Sequence, residues 1–461
     1  MKSYLITSTK KSSGKTIITI GLAAALYSMK YKLSVFKKGP DYIDPLWISK
    51  SAKAKCYNLD FNTMSNHEIK NLYKSKILNS SISIVEGNKG LFDGVSLDGS
   101  DSNAALANLL KLEIILIIDC SGMTRGIAPL VTGYKQFDPK LKYKGIILNN
   151  IASDRHEGKV ISTINEYTDL KVFGSVHKKN ELKILEQHLG LEPSFVKSDS
   201  NSIIKKISSV IKSSVDMKYL VKDIKKNTTR KTTKVLALDT KKYSGIKIGI
   251  PLDRAFGFYY ADDIEKFESF GVKIKYFNTL NDKSVPNVDA LFIGGGFPEL
   301  VADKLSLNTD MMGSIKDFID SNKPVYAECG GLMYLAKSIK INKKTYKMVG
   351  AINGKIIMHA KPIGRGLVEL IKLPSHPWLE SNNIINAHEF HYSDIMLSPK
   401  VNNFTYEVQR GYGINSKYDG VKYKNLLATY SHLRDTKKNG WVEKYLKFIK
   451  KNKDNETKDY I

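Results

Sequence analysis

With 461 residues, 42% of them apolar, the chain is too long for one hydrophobic core, which stops growing near about 250–300 residues, and apolar enough to fill two. Its net charge of +26 is spread as lysine along the whole length, not gathered into stripes interleaved with aromatics; this points to solvated faces and attraction of acidic small molecules, and away from nucleic acid. Cysteines at 56, 120 and 329 have no zinc-site spacing and cannot form a disulfide framework, which suits a reducing cytoplasm, and no apolar run is long enough for a signal peptide or a membrane span.

Taken in chain order, Ser3–Thr7 reads as a strand, followed by a loop and a helix from Lys15 to about Met29. Leu33–Phe36, Ser81–Val85, Ile114–Ile118 and Gly145–Leu148 read as further buried strands. Continuous apolar runs separated by helix-length segments predict an α/β fold, a mostly parallel sheet covered by helices on both faces. From Lys197 to about Tyr243 the text turns Ser-, Lys- and Thr-rich, most densely in Lys225-Lys226-Asn227-Thr228-Thr229-Arg230-Lys231-Thr232-Thr233-Lys234. This reads as a connection, with helical turns surviving near Ile203–Met217. A second α/β pattern follows in Lys247–Pro251, Val272–Phe277, Ala290–Ile293 and Pro324–Ala327, and the charged end from Lys450 reads as frayed. The expected partition is a first domain at 1–197, a connection at 198–244, a second domain at 245–449 and a charged tail at 450–461.

Two segments carry chemistry. Ser8-Thr9-Lys10-Lys11-Ser12-Ser13-Gly14-Lys15-Thr16 lies at the first strand-to-helix turn. There Ser13, Gly14, Lys15 and Thr16 can cradle phosphates: backbone N–H groups and the helix N-terminus face the anion, Lys15 reaches the terminal phosphates and Thr16 can ligate Mg²⁺. The full Walker pattern wants a glycine at Thr9, which is absent. Carboxylates follow at strand ends: Asp41 and Asp44 in Lys38-Gly39-Pro40-Asp41-Tyr42-Ile43-Asp44-Pro45, Glu86 in Val85-Glu86-Gly87, and Asp93 in Gly90-Leu91-Phe92-Asp93-Gly94. A lone Asp there is usually a cap or turn former. A set of four beside Gly-Lys-Thr suits Mg²⁺–ATP, with Thr16, Asp41 and Glu86 as metal ligands.

The second segment is Ala327-Glu328-Cys329-Gly330-Gly331-Leu332-Met333-Tyr334, a strand, a tight turn and a helix start. An isolated cysteine is more often a small buried hydrophobe. At such an elbow, followed by two glycines, Cys329 reads as a nucleophile, while Cys56 and Cys120 read as structural. Ile293-Gly294-Gly295-Gly296-Phe297-Pro298-Glu299-Leu300 ends another strand. Gly295 and Gly330 are the candidate oxyanion donors. The base is His432, which follows the apolar run Leu426–Tyr430, with His388 and His391 as competitors.

Together, Lys38–Pro45, Glu86-Gly87, Phe92-Asp93-Gly94, Ala255-Phe256-Gly257-Phe258-Tyr259-Tyr260, Gly294–Leu300, Ala327–Tyr334 and His388-Glu389-Phe390-His391-Tyr392-Ser393 resemble the cobyrinate a,c-diamide synthases, over nearly the whole chain. The resemblance implies a dethiobiotin-synthetase-like P-loop domain that binds ATP and a tetrapyrrole, then a class I glutaminase domain. It implies Cys329 as the nucleophile that forms a glutamyl thioester, His432 as the group that raises its nucleophilicity, and Asp41, Asp44, Glu86 and Asp93 as positions for Mg²⁺–ATP and substrate. The implied reaction is ATP- and glutamine-dependent amidation of the a and c acetates of cobyrinate or hydrogenobyrinate through an acyl phosphate, with ammonia shielded on its way between domains; a homodimer is compatible with the family. The chain departs from the family at Ser8, where the phosphate loop usually carries glycine, and Leu433-Arg434 after His432 leaves no His-x-Glu.

Other readings stay open. The same chemistry could act on sirohaem or another sirohydrochlorin-derived tetrapyrrole, and the related cobyrate synthases amidate other carboxylates. Lys10 falls where partitioning-type ATPases carry a signature lysine, but such a protein has no place for a glutaminase half. A binding protein with an inert glutaminase half would be expected to lack Cys329 or His432, and both are present.

Overall fold

The computed structural model describes residues 1–178, 199–222, 224, 242–378 and 384–458, with the backbone of 186–187 and 190–191. The basic stretch 225–234 of the expected connection and the last three residues of the tail lie outside the described residues. Cα proximity divides the chain into two units, Met1–Val235 and Leu236–Ile461.

The first unit is built on β1 (Lys2–Ser8), β2 (Leu33–Lys38), β3 (Cys56–Leu59), β4 (Ile82–Gly90), β5 (Glu113–Asp119), β6 (Lys142–Ile151) and β7 (Val172–His177). They form one sheet in the order β3-β2-β4-β1-β5-β6-β7, every pairing parallel. Helices α1 (Lys15–Ser28), α2 (Ile43–Ala52), α3 (Asn66–Ile77), α4 (Asn103–Leu110), α5 (Ile127–Phe137) and α6 (Asp154–Tyr167) alternate with the strands. The strand interiors are buried from end to end, as in the Ile114–Ile118 run of β5, because helices cover both faces. Local signals start the helices: Ser65 and Glu68 form a reciprocal capping box at α3. All strands run one way, so the carboxyl ends of β1, β2 and β4 deliver their loops to one edge of the sheet.

The segment read as connection with surviving helical turns holds a full helix, α7 (Ser200–Ser214). Its Ile204, Ile207 and Ile211 recur at three and four residues and are buried. They pack on α1 so closely that a Cβ at Gly21 would stand 2.2 Å from Ile211 Cγ1. Beyond α7, Leu220 places its carbonyl where the Tyr4 hydroxyl of β1 donates to it at 2.8 Å.

The second unit holds a nine-stranded mixed sheet. In spatial order its strands are Lys273–Phe277, Lys247–Pro251, Ala290–Ile293, Val325–Glu328, Leu426–Thr429, Tyr418–Tyr423, Phe404–Arg410, Gly364–Lys372 and Ile385–His391. The first five pair in parallel and the remainder antiparallel. A four-stranded sheet of Lys344–Lys347, Ala336–Ile341, Ile352–Met358 and Ser393–Leu397 stands beside it. One core cluster gathers Ile293, Met311, Leu332 and Ile356. The other gathers Phe292, Tyr326, Trp378, Trp441 and Tyr445. The final helix, Trp441–Lys458, buries Trp441, Val442, Tyr445, Leu446 and Ile449 and continues as helix through Lys450, where charge alone suggests fraying.

Ile211→Ala should empty part of the contact between α7 and α1 and destabilise the first unit by roughly 2–5 kcal/mol. Urea unfolding should read this as a lower midpoint at unchanged slope, whereas Lys212→Ala, on the exposed face of α7, should shift stability by less than about 0.5 kcal/mol.

Candidate functional site

At the carboxyl end of β1 the chain turns through Thr9–Ser13 before α1 begins. Ser12 (φ 59°) and Gly14 (φ 87°) adopt the left-handed region, and at Gly14 a Cβ would also stand 2.2 Å from Asn149 Nδ2. Asn149 donates to Ser13 O at 2.9 Å, the Ser13 hydroxyl donates to Lys10 O at 2.9 Å, and Tyr134 donates to Thr9 O at 2.6 Å. Lys15 folds back onto this loop, donating to Ser8 Oγ at 2.9 Å and to Lys10 O at 3.3 Å. Ser8, the departure from the expected glycine, thus gives the lysine an acceptor that glycine could not. Burial, then the nearby Lys37 charge, pull the Lys15 pKa down to about 8. Lys10, the lysine that raised the partitioning-ATPase reading, pairs with Asp119 at 3.2 Å.

Thr16 Oγ1 lies 3.0 Å from Glu86 Oε1 and 3.3 Å from Asp44 Oδ2. The same two carboxylates hold a cation that the sequence reading did not single out. Lys37 Nζ donates to Glu86 at 2.6 Å and to Asp44 at 2.5 Å, and lies 3.6 Å from Asp41. Burial opposes the Lys37 charge, but Asp44, Glu86 and Asp41 outweigh it and hold its pKa well above the usual lysine value. Burial and then Asp44 push Asp41 up to about 7; burial raises Glu86. Asp44 is lowered, because Lys37 overcomes the effect of burial. Asp41 also serves the commonplace role, accepting from the N–H groups of Ile43 and Asp44 at the start of α2. Asp93 accepts from Gly90 N at 3.0 Å and adds a favourable charge near Lys15. Glu86 Oε2 is buried with no hydrogen-bond partner among the described residues. A carboxylate with one oxygen on a threonine hydroxyl and the other orphaned fits a hard cation such as Mg²⁺. The signal for Lys37 was its spacing of four from Asp41.

In the second unit the strand Val325–Glu328 ends at Cys329, and Gly330–Leu335 begins a helix. Cys329 has φ 47° and ψ −100°, a strained backbone for a residue with a side chain. The turn has no room for side chains on its flank. A Cβ at Gly331 would lie 2.3 Å from Ile293 O, one at Gly330 would lie 2.9 Å from Gly296 N, and one at Gly296 would lie 1.9 Å from Ala255 O. The glycine loop and the cysteine turn are therefore in backbone contact, with Gly296 N facing Gly330. A Cβ at Gly295 would lie 2.5 Å from His432 Cε1 and 3.4 Å from its Nε2. The Cys329 thiol is buried, 3.9 Å from Phe390 O; burial, then the charge of Glu299, push its pKa up. Cys56 and Cys120 are buried in the first unit and also raised by burial, Cys120 to about 12.

The three candidate histidines separate clearly. His432 Nδ1 is 3.5 Å from Glu328 Oε2. The other Glu328 oxygen accepts from the Tyr326 hydroxyl at 2.7 Å and from Leu433 N at 2.8 Å. Glu328 thus stands where a downstream acid is missing; the sequence reading quoted it in a motif without a role. His388 stacks on His432 with ring centroids 4.9 Å apart, and the two pair through their backbones. Burial, then His432, hold His388 well below the usual histidine pKa. His391 stacks on Tyr430 and bonds through Nδ1 to Ser393 O at 2.7 Å. An imidazole whose Nδ1 faces a carboxylate can present Nε2 as a base.

Residues 4–191 match the family model described as the CobQ/CobB/MinD/ParA nucleotide binding domain. Residues 247–439 match the CobB/CobQ-like glutamine amidotransferase domain. Among known proteins, the chain is 39% identical over 441 residues to a cobyrinate a,c-diamide synthase of Picrophilus torridus, covering 94% of this chain and 95% of that one. It is 36% identical over 433 residues to a protein of the same description from Magnetococcus marinus, covering 93% of each. A third, from Archaeoglobus fulgidus, is 32% identical over 450 residues, covering 97% and 98%.

Binding of a polyphosphate should raise the depressed pKa of Lys15, so the complex should take up a proton wherever the free lysine is partly neutral. Calorimetry of ATP binding in buffers of different ionisation enthalpy should read a fractional proton uptake at pH about 8, little at pH about 6, and none from this source in Lys15→Met. Equal proton counts in both proteins would detach Lys15 from the phosphate.

Proposed function

The chain belongs to the cobyrinate a,c-diamide synthase family, and on that footing we propose that it converts the a and c acetate carboxylates of cobyrinate or hydrogenobyrinate into carboxamides, using ATP and glutamine. Enzymes of this kind are carbon–nitrogen ligases with glutamine as the amide donor. The observation that carries the reading is the strained Cys329 turn, with Glu328 just before it reaching His432 at 3.5 Å, inside the stretch matched by the amidotransferase family model.

In this reading the nitrogen half of the reaction belongs to the second unit. A buried thiol with a raised pKa keeps its proton until His432 removes it, and Glu328 orients the imidazole and stabilises its charged form. The thiolate attacks the glutamine carboxamide. Backbone N–H groups of Gly330 and of the Gly295-Gly296 loop take the oxyanion. The His432 imidazolium returns its proton to the departing nitrogen, ammonia leaves, a glutamyl thioester remains on Cys329, and water releases glutamate.

The acceptor half belongs to the first unit. A free carboxylate is a poor electrophile, because oxide or hydroxide would have to leave. Phosphorylation by ATP makes an acyl phosphate, whose phosphate is a workable leaving group for ammonia. Ser13 and Gly14 lie at the turn where backbone N–H groups can face phosphates, and Lys15 supplies positive charge by leaving Ser8. Thr16, Asp41 and Glu86 would hold Mg²⁺, with Asp44 and Asp93 alongside; the orphaned Glu86 oxygen supports this set. When bound, the ion neutralises phosphate charge. No helix among the described residues is long and apolar enough to cross a membrane. Three free cysteines fit a cytoplasmic setting. A homodimer is part of this reading, and light scattering of the purified protein decides it.

Product mass is the direct test. Purified protein given ATP, Mg²⁺, glutamine and cobyrinate should add two carboxylate-to-amide shifts; a shift only with sirohaem would move the substrate and keep the chemistry. Cys329→Ser should lose glutamine-dependent synthesis by at least about 10³-fold and keep synthesis from ammonium salt. Loss of both would give Cys329 a structural role. Lys15→Ala should abolish synthesis from either nitrogen source. Glu328→Gln should slow glutamine hydrolysis by roughly 10²–10⁴-fold with ammonium-supported synthesis intact; an unchanged rate would remove Glu328 from the mechanism.

A further inference from the structure

The glycine loop beside the cysteine turn continues into a single helical turn, Pro298–Val301. Pro298 Cδ lies 3.0 Å from where a Cβ on Gly330 would be, so this turn borders the nucleophile. Glu299 is on it. Its Oε2 is buried and has no hydrogen-bond partner among the described residues, and burial pushes its carboxyl up to about 7. A buried oxygen left unsatisfied is costly and calls for an explanation.

Three carboxylates act on the Cys329 thiol, and Glu299 acts most strongly, ahead of Glu328 and Glu389. The other two are committed. Glu328 accepts from Tyr326 and Leu433 and faces His432, and Glu389 accepts from Tyr412 N at 2.6 Å and Gly413 N at 2.8 Å. Glu299 is the acidic group near the thiol whose buried oxygen still lacks a donor. Protonation would not resolve this, since the neutral acid would bury an unmet polar atom as well.

A ligand whose carboxamide carbon reaches Sγ would bring its own groups toward Glu299. Glutamine carries an α-carboxylate, which a buried carboxylate repels, and an α-ammonium, which it attracts. We propose that Glu299 receives the α-ammonium of glutamine and so makes the second unit selective for an α-amino acid amide over a plain carboxamide. The proposal rests on the reading of glutamine as nitrogen donor.

The test compares glutamine with 4-carbamoylbutanoate, which is glutamine without its α-amino group, using the full chain with ATP, Mg²⁺ and cobyrinate. Wild type should prefer glutamine by about 10- to 100-fold in kcat/KM. Glu299→Gln should lose most of that preference through a higher KM for glutamine, with the analogue within about twofold of wild type. Ammonium-supported synthesis and the urea unfolding midpoint should not move, which separates lost recognition from a damaged fold. A wild-type preference near one overturns the proposal before any variant is made, as does a Glu299→Gln protein with an unchanged glutamine KM or with equal losses on both amides. If wild type hydrolyses neither amide yet makes product from ammonium, it is the glutamine-donor reading that fails.

Discussion

The second unit is organised around a carboxylate it would be costly to bury alone. Glu328 is 1% exposed, yet it closes a strand and opens onto Cys329. Its two oxygens collect a tyrosine hydroxyl, a backbone N–H and the edge of an imidazole, which is what makes the burial tolerable. Those partners come from two segments: Tyr326 from the same strand, and His432 and Leu433 from the stretch after Leu426–Thr429. These two strands are neighbours in the sheet, paired in parallel from Val325 to Glu328. One carboxylate therefore ties the strand that ends at Cys329 to the segment that carries His432. The strain at Cys329 depends on the same arrangement, since its N–H is held by Thr429 O at 2.7 Å while the flanking glycines admit no side chains.

The first unit solves a related problem differently. Asp41, Asp44 and Glu86 converge on the ammonium of Lys37, which is 3% exposed. With the lysine present, the carboxylates can stand close together. A divalent cation would share the cluster with Lys37 and would not meet bare carboxylates. Lys15 is likewise held on Ser8 and Lys10. Both lysines are placed before any phosphate arrives, which limits reorganisation when it does.

The parallel strands were legible because burial on both faces leaves uninterrupted apolar text, as in Ile114–Ile118, or in Ala290–Ile293, whose bounds the sequence reading matched. The antiparallel half of the larger sheet was not. Gly364–Lys372 and Phe404–Arg410 have exposed faces and alternate imperfectly, so lysine, arginine and glycine break the pattern. Helix α7 was half-seen, because its three buried isoleucines lie in serine- and lysine-rich text that reads as linker. At the sites, residues on turns between strand and helix could be picked out by local spacing. Glu328 and Lys37 could not be given full roles that way: besides their near neighbours Tyr326, Asp41 and Asp44, each has a partner far off in the chain, Leu433 being 105 positions from Glu328 and Glu86 49 from Lys37.

The packing of α7 on α1 also carries a message about the order of synthesis. The hydroxyl of Tyr4 finds its acceptor at Leu220, 216 positions later, and Gly21 meets Ile211 over a similar span. A ribosome adding ~5–20 residues per second needs on the order of 10–40 s to cover that distance. During this interval α1 exists with one apolar flank uncovered and β1 with an unmet buried hydroxyl. The nascent first unit thus resembles an aggregation-exposed intermediate until α7 and Leu220 emerge, and a nascent-chain binder would find its target on the flank that α7 later takes.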